Sequence, residues 1–141
     1  MDWTKKDTYA GILTLYHDLI KLRRNTDNST AGLRGSGVQV HHVNNADKVI
    51  GYHRWVSGGI RDDTVVVLNF AYRSYDAYTI GFPRAGIWTV RFNSDWAGYD
   101  DSFTSHPAHD CQTRESPRDG LPWSGDIGIG PYTAIILSQN Q

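Results

Sequence analysis

The acidic and imidazole side chains are the first residues in this chain that could do chemistry. The acids include two adjacent pairs, Asp62-Asp63 and Asp100-Asp101, and Glu115 is the only glutamate. Chemistry that uses two carboxyl groups across a bound substrate needs them about 5–10 Å apart, one of them able to protonate a leaving oxygen. Neighbours in an extended loop point to opposite sides, so neither pair makes such a site by itself, and both read as solvated turn residues. The run His106-Pro107-Ala108-His109-Asp110-Cys111 contains imidazole and thiolate, which are good zinc ligands. A proline between the histidines excludes a regular helical pair, and no second Cys/His cluster completes four ligands. The run therefore reads as a polar loop, with no metal and no other cofactor implied. His41, His42 and His53 fall on neighbouring predicted strands without a nucleophile and orienting acid, since neither Gly-x-Ser-x-Gly nor a reactive-cysteine context occurs. They are expected to be strand residues with partly exposed rings. The glycines from Gly32 to Gly37 follow a helix rather than a strand and lack the Lys-Ser/Thr ending of a phosphate loop.

Aromatic side chains offer a different chemistry, recognition by stacking. Trp96, Tyr99 and Trp123 punctuate a long irregular stretch, with Asp95, Asp100 and Asp126 close to them in sequence. Sugar rings present apolar C–H faces and polar edges, so exposed Trp and Tyr flanked by Asp, Asn and Arg make suitable platforms. The same rings could instead pin a loose loop onto the body of the domain, and the sequence leaves both readings open. Trp55 and Trp88 lie within strands and read as core.

The elements that must position these residues are one helix and about eight strands. Thr4-Lys5-Lys6-Asp7 has the form of a capping box. After it Tyr9, Ile12, Leu13, Tyr16, Leu19 and Ile20 recur at helical spacing, and Lys21, Arg23 and Arg24 place positive charge near the C-terminal end of the helix dipole. Leu15 and Leu22 widen the apolar stripe to about half the circumference, more than a surface helix needs for one partner, so the helix is expected to touch two bodies. Residues 25–37 read as a polar, glycine-rich link in which the sequon Asn28-Ser29-Thr30 is a solvated loop. Runs at 38–43 and 48–56, joined by Asn44-Asn45-Ala46-Asp47, read as a hairpin. Ser57 to Asp62 reads as a mobile turn. The unbroken run Thr64 to Phe70 suits a strand covered on both faces, and alternating runs follow at 75–82 and 87–95. Residues 96–124 are the least regular part, and 126–130 with 131–138 supply the last strands. The pattern is all-β, an antiparallel β-sandwich of about eight strands with a Greek-key arrangement, preceded by one N-terminal α-helix.

The totals narrow the classes of function. A chain of 141 residues is one domain's worth and can bury a core without staples. Net charge of −1 gives no electrostatic case for nucleic acid or an anionic membrane, and no apolar span of membrane-crossing length occurs. One cysteine cannot form an internal disulfide, which points to a reducing compartment or to indifference to redox.

Asn69-Phe70, Ser74-Tyr75-Asp76-Ala77-Tyr78, Ile80-Gly81-Phe82-Pro83, Gly86 and Phe92-Asn93-Ser94-Asp95 resemble the C-terminal β-domain of 1,4-α-glucan (glycogen or starch) branching enzymes of the α-amylase superfamily. Tyr16 to Arg24 is similar to the last helix of that superfamily's catalytic barrel, and Gly130 to Leu137 resembles its final strand. The residues after Asp95 depart from the glycine-rich continuation of the eukaryote-like branching enzymes. The resemblance implies a linking helix at 1–26, the end of a barrel, and an all-β accessory domain at 27–141. It also implies that the catalytic carboxylates lie upstream, so no catalytic residue is assigned here. The expected partners are an upstream catalytic barrel of the same polypeptide and, through Trp96, Tyr99, Trp123 and Asp95, α-glucan, in the cytoplasm. A stand-alone α-glucan-binding module is the second reading, and a small enzyme or metal protein working at His106 to Cys111 is the third.

Overall fold

The computed structural model describes residues 3–140; Met1, Asp2 and Gln141, at the outer ends of the two expected segments, lie outside the described residues. The helix begins differently from its sequence pattern. Thr4 already has helical angles, φ −67° and ψ −25°, and makes no side-chain cap, because a capping hydroxyl reaches the free N–H groups from an extended backbone. A single turn, α1 (Lys5–Thr8), is separated by Tyr9 from the main helix, α2 (Ala10–Arg24). At the far end Asn25 adopts φ 56°, with its N–H on the Leu22 carbonyl at 2.9 Å and the Thr26 N–H on that of Lys21 at 3.1 Å. This is the Schellman arrangement, and asparagine tolerates its left-handed residue better than most.

The link that follows is more ordered than expected. Asn28 is exposed, but Ser29 and Thr30 are buried. The Thr30 hydroxyl donates to the Leu22 carbonyl at 2.8 Å, and its N–H donates to the Asn25 side chain at 2.7 Å, which fastens the link to the end of α2. A short 3-10 turn, Ala31–Arg34, then buries Leu33.

Eight strands follow among the described residues: β1 (Gly37–Asn44), β2 (Val49–Trp55), β3 (Thr64–Asn69), β4 (Tyr75–Phe82), β5 (Ile87–Asn93), β6 (Cys111–Gln112), β7 (Trp123–Ile129) and β8 (Ala134–Ser138). All pair antiparallel, in a six-stranded sheet of order β1-β2-β3-β8-β5-β6 and a two-stranded sheet of β4 and β7. The last strand follows β7 after a connection of four residues, 130–133, and lies between β3 and β5. The apolar run of β3 thus sits inside the sheet, and five of its six residues are buried. The irregular stretch hides the two-residue strand β6 and the first half of β7, whose glycines and serine blur the alternation.

Register sorts the core into two layers. Val65, Val67, Ile135, Leu137 and Trp88 meet Ile80, Phe82, Ile127 and Ile129 between the sheets. On the other face of the large sheet Val66, Phe92 and Ile136 meet Leu15, Leu19 and Leu22 of α2. Tyr99 completes this layer, its hydroxyl donating to Asp18 at 2.9 Å. A Cβ on Gly11 would lie 1.9 Å from the Tyr99 carbonyl oxygen, so only glycine lets the helix come this close. Along the helix, Tyr9, Leu13, Tyr16 and Ile20 form a second stripe, each residue at least half exposed. The two stripes are separable: Leu19→Ala is expected to cost the isolated chain about 2 kcal/mol by urea denaturation, and Leu13→Ala less than about 0.5 kcal/mol.

Candidate functional site

The helix leaves much of its side of the large sheet uncovered. Cross-strand partners share a face, so the register Val40–Tyr52–Val66 and Val43–Ile50–Leu68 places Val40 and Val43 on the face where α2 packs. Val38, paired with Arg54, shares it, and all three valines are more than half exposed. Around the start of α2, Trp3, Tyr9, Ile12, Leu13 and Tyr16, with Lys5 and Lys6, line an open, mainly apolar depression of about 430 Å³. A larger open cleft of about 550 Å³ is lined mostly by polar side chains, among them Asp27, Asn28, Arg61, Asp110 and Asn140.

His42, His53 and Asp63 are buried in structural networks, contrary to the partly exposed rings and solvated turn that the sequence suggests, whereas Asp100 and Asp101 are exposed as expected and His41 is half-buried. His53 Nε2 lies 2.9 Å from Asp63 Oδ1, while Asp63 Oδ2 accepts from the Arg84 guanidinium at 2.5 Å and from the Gly59 N–H at 3.0 Å. Asp63 is only 3 % exposed. Burial pushes its carboxyl pKa up, but the hydrogen bonds from His53, Arg84 and Gly59 together hold it below the usual carboxylate value. Asp62 points the other way and accepts the N–H groups of Val56, Ser57 and Gly58 at 2.7–2.8 Å. The turn expected to be mobile is therefore pinned by both acids. A second network joins His42 Nδ1 to Asp119 at 2.9 Å and His42 Nε2 to the Tyr78 hydroxyl at 2.9 Å. Both histidines lie on the inner face of the large sheet, where His53 pairs with Val65 and His42 with Gly51. An exposed ring was never open to them.

The His106 to Cys111 loop spreads its groups apart. His106 Nε2 contacts the Tyr75 carbonyl at 3.1 Å, His109 is exposed, and Cys111 is buried against Gly125. Burial, with Asp126 nearby, pushes the Cys111 thiol up to about 11. No group of three or more His, Cys, Asp or Glu among the described residues could hold a metal ion. No helix among the described residues is long and apolar enough to cross a membrane.

The four residues singled out for sugar contact do not form one surface. Trp96 is 51 % exposed and stands edge-on to Tyr99, centroids 5.0 Å apart. Tyr99 is 7 % exposed and committed to Asp18, and burial pushes its hydroxyl pKa upward. Asp95 is also buried; its carboxylate accepts the Thr104 N–H, the Thr104 hydroxyl and the His106 N–H, which organises the long loop. Trp123 lies at the other end of the sandwich, opposite Phe82, bordering a shallow cavity of about 450 Å³ with Ile60, Arg84 and Gln139. Two further exposed rings, Tyr72 and Tyr132, were not singled out by sequence: Tyr72 falls in the short corner after β3, and Tyr132 reads as part of the last strand, which in the structure begins only at Ala134.

An antiparallel sandwich hung from an N-terminal helix has the build of an all-β C-terminal domain. The chain belongs to the α-amylase C-terminal all-β domain family, whose sequence pattern matches residues 40–140. Its similar proteins include the 1,4-alpha-glucan branching enzyme GlgB of Nocardia farcinica, 29 % identical over 146 residues that cover 98 % of this chain and 19 % of the relative. The enzyme of the same name from Rhodopirellula baltica is 31 % identical over 135 residues, covering 93 % and 18 %. That from Nitrosococcus oceani is 33 % identical over 92 residues, covering 65 % and 12 %. The chain thus spans less than a fifth of the length of these relatives.

The Asp63 network has a pH signature. Because the folded pKa is depressed, its contribution to stability is complete above the unfolded carboxylate value near about 4 and is lost as pH falls through the lower folded value. Asp63→Ala is expected to cost about 3 kcal/mol at neutral pH and to flatten the fall of the urea midpoint below about pH 4.

Proposed function

We propose that this chain is the non-catalytic C-terminal accessory domain of a cytoplasmic α-glucan-active enzyme resembling 1,4-α-glucan branching enzymes, with the boundary between linking helix and β-domain near residue 26. In such an enzyme an α-1,4 bond is cleaved and the freed chain is transferred to a 6-hydroxyl. Here α2 would seat an upstream catalytic barrel of the same polypeptide. The observation that carries this reading is the bare stripe Tyr9, Leu13, Tyr16 and Ile20 on a helix whose other side already fills the domain's own core. Covering each of these half-exposed side chains is worth on the order of 1 kcal/mol, and the exposed valines of β1 extend the same side. The short length of the match within its relatives supports a larger neighbour.

The isolated chain is expected to neither branch nor hydrolyse glycogen or amylose, measured by iodine-complex absorbance and reducing-end release; either activity would refute a non-catalytic role. A Leu13→Glu, Tyr16→Glu double variant is expected to leave the melting temperature of the isolated chain within about 2 °C of the parent chain. In a polypeptide that carries the barrel it is expected to lower that temperature by about 5 °C or more. Equal melting in both settings would count against the seat.

A stand-alone α-glucan-binding module is the second reading, favoured by the half-exposed ring of Trp96 and by the cavity beside Trp123. It predicts retardation of the chain in glycogen-containing native gels, weakened in a Trp96→Ala, Trp123→Ala double variant. Full retention of affinity in that variant would move the contact elsewhere.

A further inference from the structure

Tyr72 and Tyr132 are the two most exposed aromatic side chains on the described part of the sandwich, 83 % and 68 % exposed. One lies in the loop between β3 and β4, the other between β7 and β8, and their ring centroids are 6.1 Å apart with planes tilted by 49°. Rings left this open contribute little to the core. Their mutual placement is nevertheless fixed from below.

The fixing group is Asn69, which is almost fully buried. Its side-chain NH2 donates to the Arg73 and Gly130 carbonyls, both at 2.7 Å, and its side-chain oxygen accepts the Ala71 N–H at 2.9 Å. Its backbone N–H reaches the Thr133 carbonyl at 2.8 Å, and the Tyr132 N–H reaches that of Ala71 at 3.1 Å. One amide therefore clamps the bases of both loops. Tyr132 itself has φ 49°, a left-handed conformation that glycine or asparagine adopts at lower cost. The chain keeps a tyrosine there with its ring in water.

We propose that Tyr72 and Tyr132 form a surface platform for an α-1,4-glucan chain, an inference that rests on the α-glucan reading above and gives it a place. A sugar ring stacks its apolar C–H face on an aromatic ring while its edges keep hydroxyl groups in water. Chains of α-1,4-linked glucose curve, so successive sugars offer faces at an angle, and two tilted rings match a curved chain better than a flat one. Polar edge groups are at hand: Arg73, whose guanidinium lies 4.9 Å from the centroid of the Tyr75 ring, and Ser74 follow Tyr72 in the same exposed loop. A protein partner finds its contiguous aliphatic surface on α2 and β1 instead. The platform stands at the end of the sandwich where Ser94 meets Ala134 through a 2.8 Å hydrogen bond, away from the Trp123 cavity.

The test is affinity electrophoresis of the chain in native gels containing glycogen, with thermal melting as a control for folding. The wild type is expected to be retarded. Tyr72→Ala with Tyr132→Ala is expected to lose at least about fivefold in affinity with its melting temperature unchanged, whereas Tyr72→Phe with Tyr132→Phe, which keeps the rings, retains most of the retardation. A Tyr-to-Ala variant retarded like the wild type would overturn the platform. A loss confined to the Trp96→Ala, Trp123→Ala variant would also overturn it but leave the binding-module reading standing. No retardation of the wild type would remove both glucan proposals and leave the barrel seat untouched.

Discussion

A broad antiparallel sheet has two faces to cover, and this chain carries enough structure for one and part of the other. The pair β4–β7 closes the inner face over Val65, Val67 and Trp88. On the outer face α2 reaches only the middle of the sheet, through Leu15, Leu19 and Leu22. The apolar surface on that side follows from the shortfall: the second apolar stripe on the helix, the uncovered valines of β1 and the depression around Tyr9 and Trp3. Burial of apolar area is the dominant driving force in folding, so a domain with this much left over gains more by contact than by solvation.

Polar residues that resemble reactive groups serve instead to lock the margins of the sandwich. Asp62 and Asp63 hold the turn before β3, Asp95 holds the loop after β5, and Asp119 holds His42 beneath the second sheet. Each carboxylate satisfies several N–H groups, which is what a buried carboxylate requires. Tyr99 belongs to the same set. Its ring fills the layer under α2, and its hydroxyl fixes the helix through Asp18.

The sequence made the strands legible where period and turn chemistry agreed, from β1 to β5 and in β8. It also made legible the double-sided helix, because Leu15 and Leu22 fall outside the stripe that begins at Tyr9. The rest was hidden for physical reasons. Serine and glycine break the alternation in β7, and two residues are too few to show a period in β6. The burial of His42 and His53 depends on partners 77 and 10 residues away, contacts that no local pattern encodes. The sugar-contact residues were grouped by nearness in sequence, yet β5 and β7 carry Trp96 and Trp123 to opposite ends. Asn69-Phe70 was noticed as part of a family motif, but its asparagine proves to be the clamp between two loops, a role visible only once Gly130 is folded against it.

The account turns on whether the outer stripe of α2 is an interface. The most direct measurement is tyrosine-selective surface labelling of Tyr9 and Tyr16, read by peptide mass spectrometry, in the isolated chain and in the longer polypeptide bearing the catalytic barrel. Both tyrosines should react readily in the isolated chain and become protected in the longer one, while Tyr72 stays reactive in both. Equal labelling of Tyr9 and Tyr16 in the two proteins would show that the stripe faces water throughout and would contradict the account.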